Sequence, residues 1–359
     1  MLNATFGVSR LTKAMMLGGI CMASLMGCSQ SDNKTADASS ASTASATTAA
    51  SGDTKSVAIT AIVEHPALDA VRQGVIEELG NEGFKEGQNL KVNFQSAQGN
   101  TATAGQIAKQ FAADKPDAIV AISTPSAQSV IAATNSIPVI FSAVTDPVEA
   151  KLIKSWEASG TNVTGASDML PLEPQIELMK KVVPNLKSVG YVYSPGEVNS
   201  TVVLKALEAK FKPMGINIVA APAQRTTDIP QATRGLQGKV QLIYTSLDNN
   251  VVSAYESLYQ AAKEIKVPLV ASDTDSVSRG AVAAMGINYK DLGIETGKIV
   301  GRVLKGEQPG TIKPITMNKL DLYLSPKHAQ EVGITLPKDL ISQAAQVEPA
   351  PKAKQSIIR

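Results

Sequence analysis

From Val57 onward, short runs of apolar and β-branched residues alternate with longer amphipathic segments. Val57–Ile62, Leu90–Gln95, Ala118–Ile122 and Pro138–Ser142 read as strands. Segments of helical periodicity follow them at Pro66–Leu79, Thr101–Ala113 and Pro125–Ala133, with a short one at Pro147–Leu152. Strand–helix repetition predicts a parallel sheet covered on both faces, whose strands are apolar almost throughout. The pattern changes near Gly165–Leu170 and then restarts. Helices are predicted at Pro174–Val183, Ser200–Lys212, Asp228–Leu236 and Tyr255–Ile265, and strands at Ser188–Tyr193, Asn217–Ala221, Val240–Thr245 and Leu269–Ala271. Ala281–Ile287 and Thr316–Tyr323 read as further strands, with a helix over Lys290–Leu304 between them. The pattern is that of two α/β lobes.

In open parallel sheets a ligand sits in the crevice beyond the carboxyl ends of the strands. The residues just after each strand therefore matter most. In the first lobe they include Glu64-His65, Ser123-Thr124 and Thr145-Asp146. In the second they are the turn Ser194–Ser200, with Asn199-Ser200, and the turns that hold Asp248 and Asp273. Any one of them reads equally well as a helix cap, because strand-to-helix turns need such oxygens. As a set they aim hydroxyls, amides and carboxylates at one crevice. Helix N-termini there would hold an anion such as a carboxylate. Glu64, Asp146, Asp248 and Asp273 could hold a cation such as an ammonium, so a zwitterion would suit. Glu64 and His65 point to opposite sides if the strand continues, so at most one of them meets a ligand.

The ends of the chain add a location. Arg10 and Lys13 precede a mostly apolar stretch, Ala14–Leu25, that is short for a membrane span and ends in Leu25-Met26-Gly27-Cys28. Residues 1–27 thus read as a lipoprotein signal peptide, and Cys28 as the lipidated residue. The chain has two cysteines, and the other, Cys21, falls inside the leader. No disulfide, thiolate metal site or cysteine nucleophile is then expected in the body. Residues 28–55 contain no large apolar residue and read as a disordered tether; 348–359 read as a disordered tail. Roughly 300 residues remain for the body, enough for one large or two medium domains. Net charge is +2 and aromatics are 4 %, with no basic stripe, so nucleic acid is not an expected partner.

A leader ending in a lipobox, a polar tether and two βα lobes together resemble the ABC-transporter substrate-binding lipoproteins of the type I periplasmic-binding-protein fold. V-E-H-P-A-L-D-A-V-R-Q-G, A-I-S-T-P-S-A-Q, V-I-F-S-A-V-T-D-P-V and Y-S-P-G-E-V-N-S look like their TrpX-like branch, associated with aromatic amino acids. The resemblance implies two Rossmann-like doubly wound lobes joined by three crossovers. Residues 56–165 and 289–316 would form the first lobe, and 166–288 and 317–347 the second. It implies capture of a small molecule, an amino acid with aromatic ones favoured, by hinge closure. An ABC permease with its cytoplasmic ATPase would receive the solute. A sensor that presents solute to a receptor, or a non-amino-acid solute, stays open. The protein would be an extracytoplasmic monomer held to the membrane by lipid only. Ser123 and Thr124 would bind the carboxylate, Asp248 or Asp273 the ammonium, with Thr145, Asn199 and Ser200 adding hydrogen bonds and Asp146 the outlying acid. Tyr193 is a candidate aromatic wall that reads equally as a core residue.

Catalysis finds no support. The chain has two histidines, His65 and His328, far apart in sequence. G-x-S-x-G, H-E-x-x-H, P-loop and G-x-G-x-x-G patterns are lacking. No metal and no cofactor is expected.

Overall fold

The computed structural model describes residues 54–348, so the expected leader, Cys28, most of the tether and the tail lie outside the described residues. Two sheets organise the chain. The first has six parallel strands in the order Ile315–Thr316, Val163–Ser167, Val139–Ser142, Ala118–Ile122, Lys55–Ala61, Leu90–Ser96. The second has seven, in the order Gln346–Val347, Asp321–Leu324, Ala283–Gly286, Leu269–Ala271, Leu242–Thr245, Ser188–Tyr193, Asn217–Pro222. Only the pairing of Ala283–Gly286 with Asp321–Leu324 is antiparallel.

Strand alternation feeds a core on each face of each sheet. Val57, Ile59 and Ala61 enter one apolar cluster, and Ala58 and Ile62 another. In the second sheet Tyr191 and Val192 divide in the same way. Burial on both faces is why these strands carry so few polar residues. The chain passes between lobes after Ser167, after Gly286 and after Thr316. Both passages into the second lobe and the return run alongside one another, the connectivity of a hinge.

Two expectations from periodicity fail for local reasons. Pro147–Leu152 is a turn and not a helix. Its first bonds are helix-like, with Ala150 N donating to Asp146 O at 2.9 Å, but Lys151 takes φ 62° and ends the run. The apolar alternation over Thr316–Tyr323 is not one strand. Ile315–Thr316 closes the first sheet, and Asp321–Leu324 begins again in the second. The strand Val163–Ser167 runs past Gly165 and ends just before Asp168.

Helices Pro66–Asn81 and Tyr289–Leu304 pack side by side over the first sheet, at a separation set by glycine. A Cβ on Gly293 would lie 2.2 Å from Val71 O, and one on Gly74 2.3 Å from Lys290 O. This contact has a functional end. His65 is the N-cap of the first helix and Tyr289 the first residue of the second, so close packing fixes both against the space between the sheets. Gly293→Ala is expected to force the helices apart and cost about 1–3 kcal/mol, the usual range for overpacking. Thermal denaturation checks this; an unchanged melting temperature would contradict the close approach.

Candidate functional site

The carboxyl ends of the two sheets face each other across a closed cleft. His65, Asp168 and Tyr289 from the first-lobe side meet Asn199, Asn249 and Asp273 around a cavity of about 20 Å³, roughly the space of one water. Leu247 separates it from a larger cavity of about 180 Å³. That second space is lined mainly by Met169, Leu170, Val202, Val203 and Tyr244. A small polar compartment thus adjoins a larger apolar one.

The turn after Ala118–Ile122 lines neither cavity but holds unpaired hydroxyls close behind the polar one. Ser123 has φ 82°, a conformation that a residue with a side chain adopts only at a cost. It is the N-cap of helix Thr124–Ala133, yet its side chain caps nothing. Pro125 suits that first turn, where its missing N–H costs no hydrogen bond. The hydroxyls of Ser123, Thr124 and Ser126 are buried without a partner. Ser123 N donates to Ser142 O at 2.9 Å, which ties the turn to Ala143 on the wall of the polar cavity. Free hydroxyls and helix N-terminal amides in one place favour an anion.

The acid–histidine pair resolves in the turn between the strand's end at Ala61 and the helix that His65 caps. His65 turns inward and is 9 % exposed, with Nδ1 unpaired. Burial, helped by the charge of Arg279, pushes its pKa down to about 3, so it is neutral. Glu64 points to solvent and accepts from Gln98 Nε2 at 2.9 Å. Its expected role as a cation ligand is therefore overturned: the strand ends at Ala61, and the turn that follows leaves Glu64 exposed and bonded to Gln98.

Asp168 is the acid that the sequence reading missed. It is 3 % exposed and lines the polar cavity. Thr145 Oγ1 donates to its Oδ1 at 3.0 Å and Tyr289 OH to its Oδ2 at 3.3 Å. Burial pushes its pKa up to about 6, against the two hydroxyls, which lower it. No salt bridge to Asp168 occurs among the described residues. The signal that could have found it is its place directly after a strand, hidden because V-T-G-A-S is short and poor in large apolar residues.

The remaining candidates divide into facing and framing residues. Thr145 holds Asp168 and touches the apolar cavity. Asp146 instead caps its own turn, accepting from Val148 N and Glu149 N at 3.0 Å. In the second lobe Asn199 and Asp273 line the polar cavity. Asp273 also accepts from Ser276 N at 2.9 Å and Ser276 Oγ at 2.7 Å, and burial raises its pKa. Asp248 is fully buried as a brace, accepting from Ser194 N at 2.6 Å, Ser194 Oγ at 2.9 Å and Val251 N at 3.0 Å. It caps helix Asn249–Ser253 and lines neither cavity. Ser200 lies behind the site, where Tyr191 OH donates to its carbonyl at 2.9 Å. Tyr193 is not the aromatic wall: it packs on the Tyr191 ring at 5.8 Å within the second lobe's core. Tyr244, on the neighbouring strand, reaches the apolar cavity instead.

Residues 56–348 match the family model for ABC transporter substrate binding protein. A tyrosine-binding protein of Clostridioides difficile is 37 % identical over 316 residues, spanning 88 % of this chain and 90 % of its own. The structure of an ABC domain in complex with L-Trp, from Streptococcus pneumonia, is 33 % identical with a TM-score of 0.79 and covers 82 % of this chain and 100 % of that one. A ligand-free, open structure of a Clostridium difficile substrate-binding protein with adhesive properties is 37 % identical but has a TM-score of 0.63, over 83 % of this chain and all of that one. The better match to the complex, at lower identity, agrees with the closed cleft. The two α/β lobes form a type I periplasmic-binding-protein fold, as sugar-binding ABC proteins at 15–16 % identity also show.

A raised carboxyl pKa favours the protonated folded protein. In Asp168 that advantage is complete below about pH 4 and is lost as pH rises through about 6. Asp168→Asn is therefore expected to leave ligand-free stability little changed at pH 4 and to raise it at pH 7–8. A two-unit shift sets an upper bound of about 3 kcal/mol. Melting curves at both pH values check this, and a destabilised variant at pH 7–8 would contradict it.

Proposed function

The chain belongs to the family of ABC transporter substrate-binding proteins, and we propose that it captures an α-amino acid with a large apolar side chain, aromatic ones above all. The observation that carries this reading is the polar compartment opening beside an apolar one. The Ser123–Thr124 turn supplies hydroxyls and amides to a carboxylate. Asp168 supplies the charge for an ammonium a short way along the same edge, and Asp273 faces it from the other lobe. The side chain would then fill the cavity against Tyr244 and Met169. Membership of the family implies a small-molecule ligand and an ABC permease. Two relatives at 33–37 % identity are a tyrosine-binding protein and a protein in complex with L-Trp, which agrees with the apolar cavity.

Closure follows from the same residues. Each buried hydroxyl left without a partner costs about 1–3 kcal/mol, which a ligand oxygen or nitrogen offsets. The ligand thus binds the closed form better than the open one, the condition for shifting a hinge. Asp248 and Asp146 act as frame: backbone N–H groups end on their oxygens and neither lines a cavity, whereas Asp273, though also bonded by Ser276, lines the polar one. The geometry gives no reason for catalysis: His65 is neutral and no nucleophile is hydrogen-bonded to it. We further propose a monomer that works outside the cytoplasm, held by lipid on Cys28 and feeding a permease driven by a cytoplasmic ATPase.

L-tyrosine, L-tryptophan and L-phenylalanine are expected to raise the melting temperature by several degrees, since a ligand at 100 times its Kd adds about 2.7 kcal/mol. Stabilisation by a sugar and by none of the three would overturn the reading. Asp168→Asn is expected to weaken the bound amino acid at least tenfold by calorimetry, because it removes one partner of a buried charge pair. Cys28→Ser is expected to move the protein from the membrane to the soluble fraction; retention would rule out the lipid anchor.

A further inference from the structure

We propose that Glu197 is a positioning residue of the site: it locks the Asn199 side-chain amide so that Oδ1 faces the cleft and accepts from the ammonium of an amino acid. This rests on the amino-acid reading above. Glu197 lies in the turn Tyr193-Ser194-Pro195-Gly196-Glu197, immediately before helix Val198–Met214. It is 7 % exposed and makes no salt bridge among those of the described residues. Its side chain does not cap the helix. Instead Oε2 accepts from Asn199 Nδ2 at 2.9 Å, from Asn249 Nδ2 at 2.6 Å and from Asn249 N at 3.0 Å.

The consequence falls on Asn199. Its Nδ2 donates both to Glu197 Oε2 and to Leu247 O at 2.9 Å, so both of its hydrogens are used. Turning the amide over would set Oδ1 against two acceptors and lose both bonds. The orientation is thus dictated by the network. Oδ1 is left buried with no partner, on a residue that is 3 % exposed and lines the polar cavity. A carbonyl oxygen needs a donor. A ligand carboxylate has none to give, whereas an ammonium has three. Across the cavity stands Asp168. The first lobe therefore supplies charge and the second a neutral acceptor to one nitrogen, and the nitrogen links the lobes.

Burial, reinforced by the neighbouring Asp248, pushes the Glu197 pKa up and so favours its neutral carboxyl. All three bonds end on one oxygen, so the carbonyl of a glutamine can replace it. Titration calorimetry with L-tyrosine, L-tryptophan and L-phenylalanine tests the idea on the whole protein. Glu197→Leu is expected to weaken binding about tenfold, and Glu197→Gln to stay within about threefold of wild type. In an Asn199→Ala background, Glu197→Leu should cost less than about twofold more, because a residue acting through Asn199 has nothing left to position. Independent, additive losses, or no loss in Glu197→Leu, would overturn the proposal. A crystal structure of wild type with the amino acid that binds gives a second test if Glu197→Leu fails to fold. Asn199 Oδ1 within hydrogen-bond distance of the ligand nitrogen supports the proposal, and its contact with the carboxylate or with no ligand atom overturns it. If wild type binds none of the three, the amino-acid reading falls first, and this proposal with it. If wild type binds and Asp168→Asn weakens it while the Glu197 variants do not, only this proposal falls.

Discussion

The structure turns on one constraint: polar atoms taken out of water need partners. Parallel sheets put every strand-to-helix turn at one edge, and the two lobes set those edges face to face. Closing the cleft buries the polar residues those turns require. Asp146 and Asp248 meet the constraint within the fold, because backbone N–H groups end on their oxygens. Ser123, Thr124, Ser126, His65 and Asn199 do not, and each keeps an unpaired polar atom. Among the cleft turns that difference, together with the lining of the polar cavity by Asp168 and Asp273, tells more than residue type does. The same serine or aspartate is a cap in one turn and a ligand group in the next.

Unpaired atoms recognise a ligand only if they are held still. The glycine contact between helices Pro66–Asn81 and Tyr289–Leu304 fixes His65 and Tyr289 at the same edge. Tyr289 and Thr145 then orient Asp168. In the second lobe Asp248 ties the Ser194 turn to the Asn249 turn, and Glu197 ties Asn199 to Asn249. Each half-site is thus rigid in itself. Two of the three passages between the lobes carry members of the first-lobe network, Asp168 directly after Ser167 and Tyr289 soon after Gly286, so the site lies where the lobes are joined.

How much of this was legible in the sequence follows from the range of each signal. Strands and helices show as periods of two and 3.6, and both lobes could be read from them. The periods fail where packing overrules local pattern: the stretch Thr316–Tyr323 reads as one strand, yet its apolar phase shifts at Asn318-Lys319 and its two ends join different sheets. The turn set that faces the cleft was also legible, because strand ends mark it. The assignment within the set was not. Asp248 and Asp168 are both acids after apolar strands, and only the direction of nearby N–H groups tells a brace from a ligand group. Glu64 and His65 show the limit well. Periodicity expects at most one of them to face inward, but the strand ends at Ala61, and it is the turn into helix Pro66–Asn81, with His65 as its N-cap, that settles the choice.

Charge then narrows what can fill the cleft. The polar cavity is walled by Asp168 and Asp273, with Glu197 behind it. The cation nearest to hand, Arg279, is already committed: Nε and Nη2 bond Glu256 at 2.7 and 2.8 Å, and Nη1 bonds Val252 O at 2.7 Å. His65 is neutral. The site therefore has acid without a matching base, and the positive charge has to come from the ligand. A sugar could satisfy the free hydroxyls but would leave Asp168 either charged and buried or protonated. A dicarboxylate would add to the repulsion. An ammonium beside a carboxylate meets both halves of the polar compartment. The apolar cavity next to it makes a bare glycine or a charged side chain a poor occupant. Selectivity for a neutral amino acid with a bulky side chain thus follows from two adjoining spaces, one short of positive charge and the other short of polar atoms.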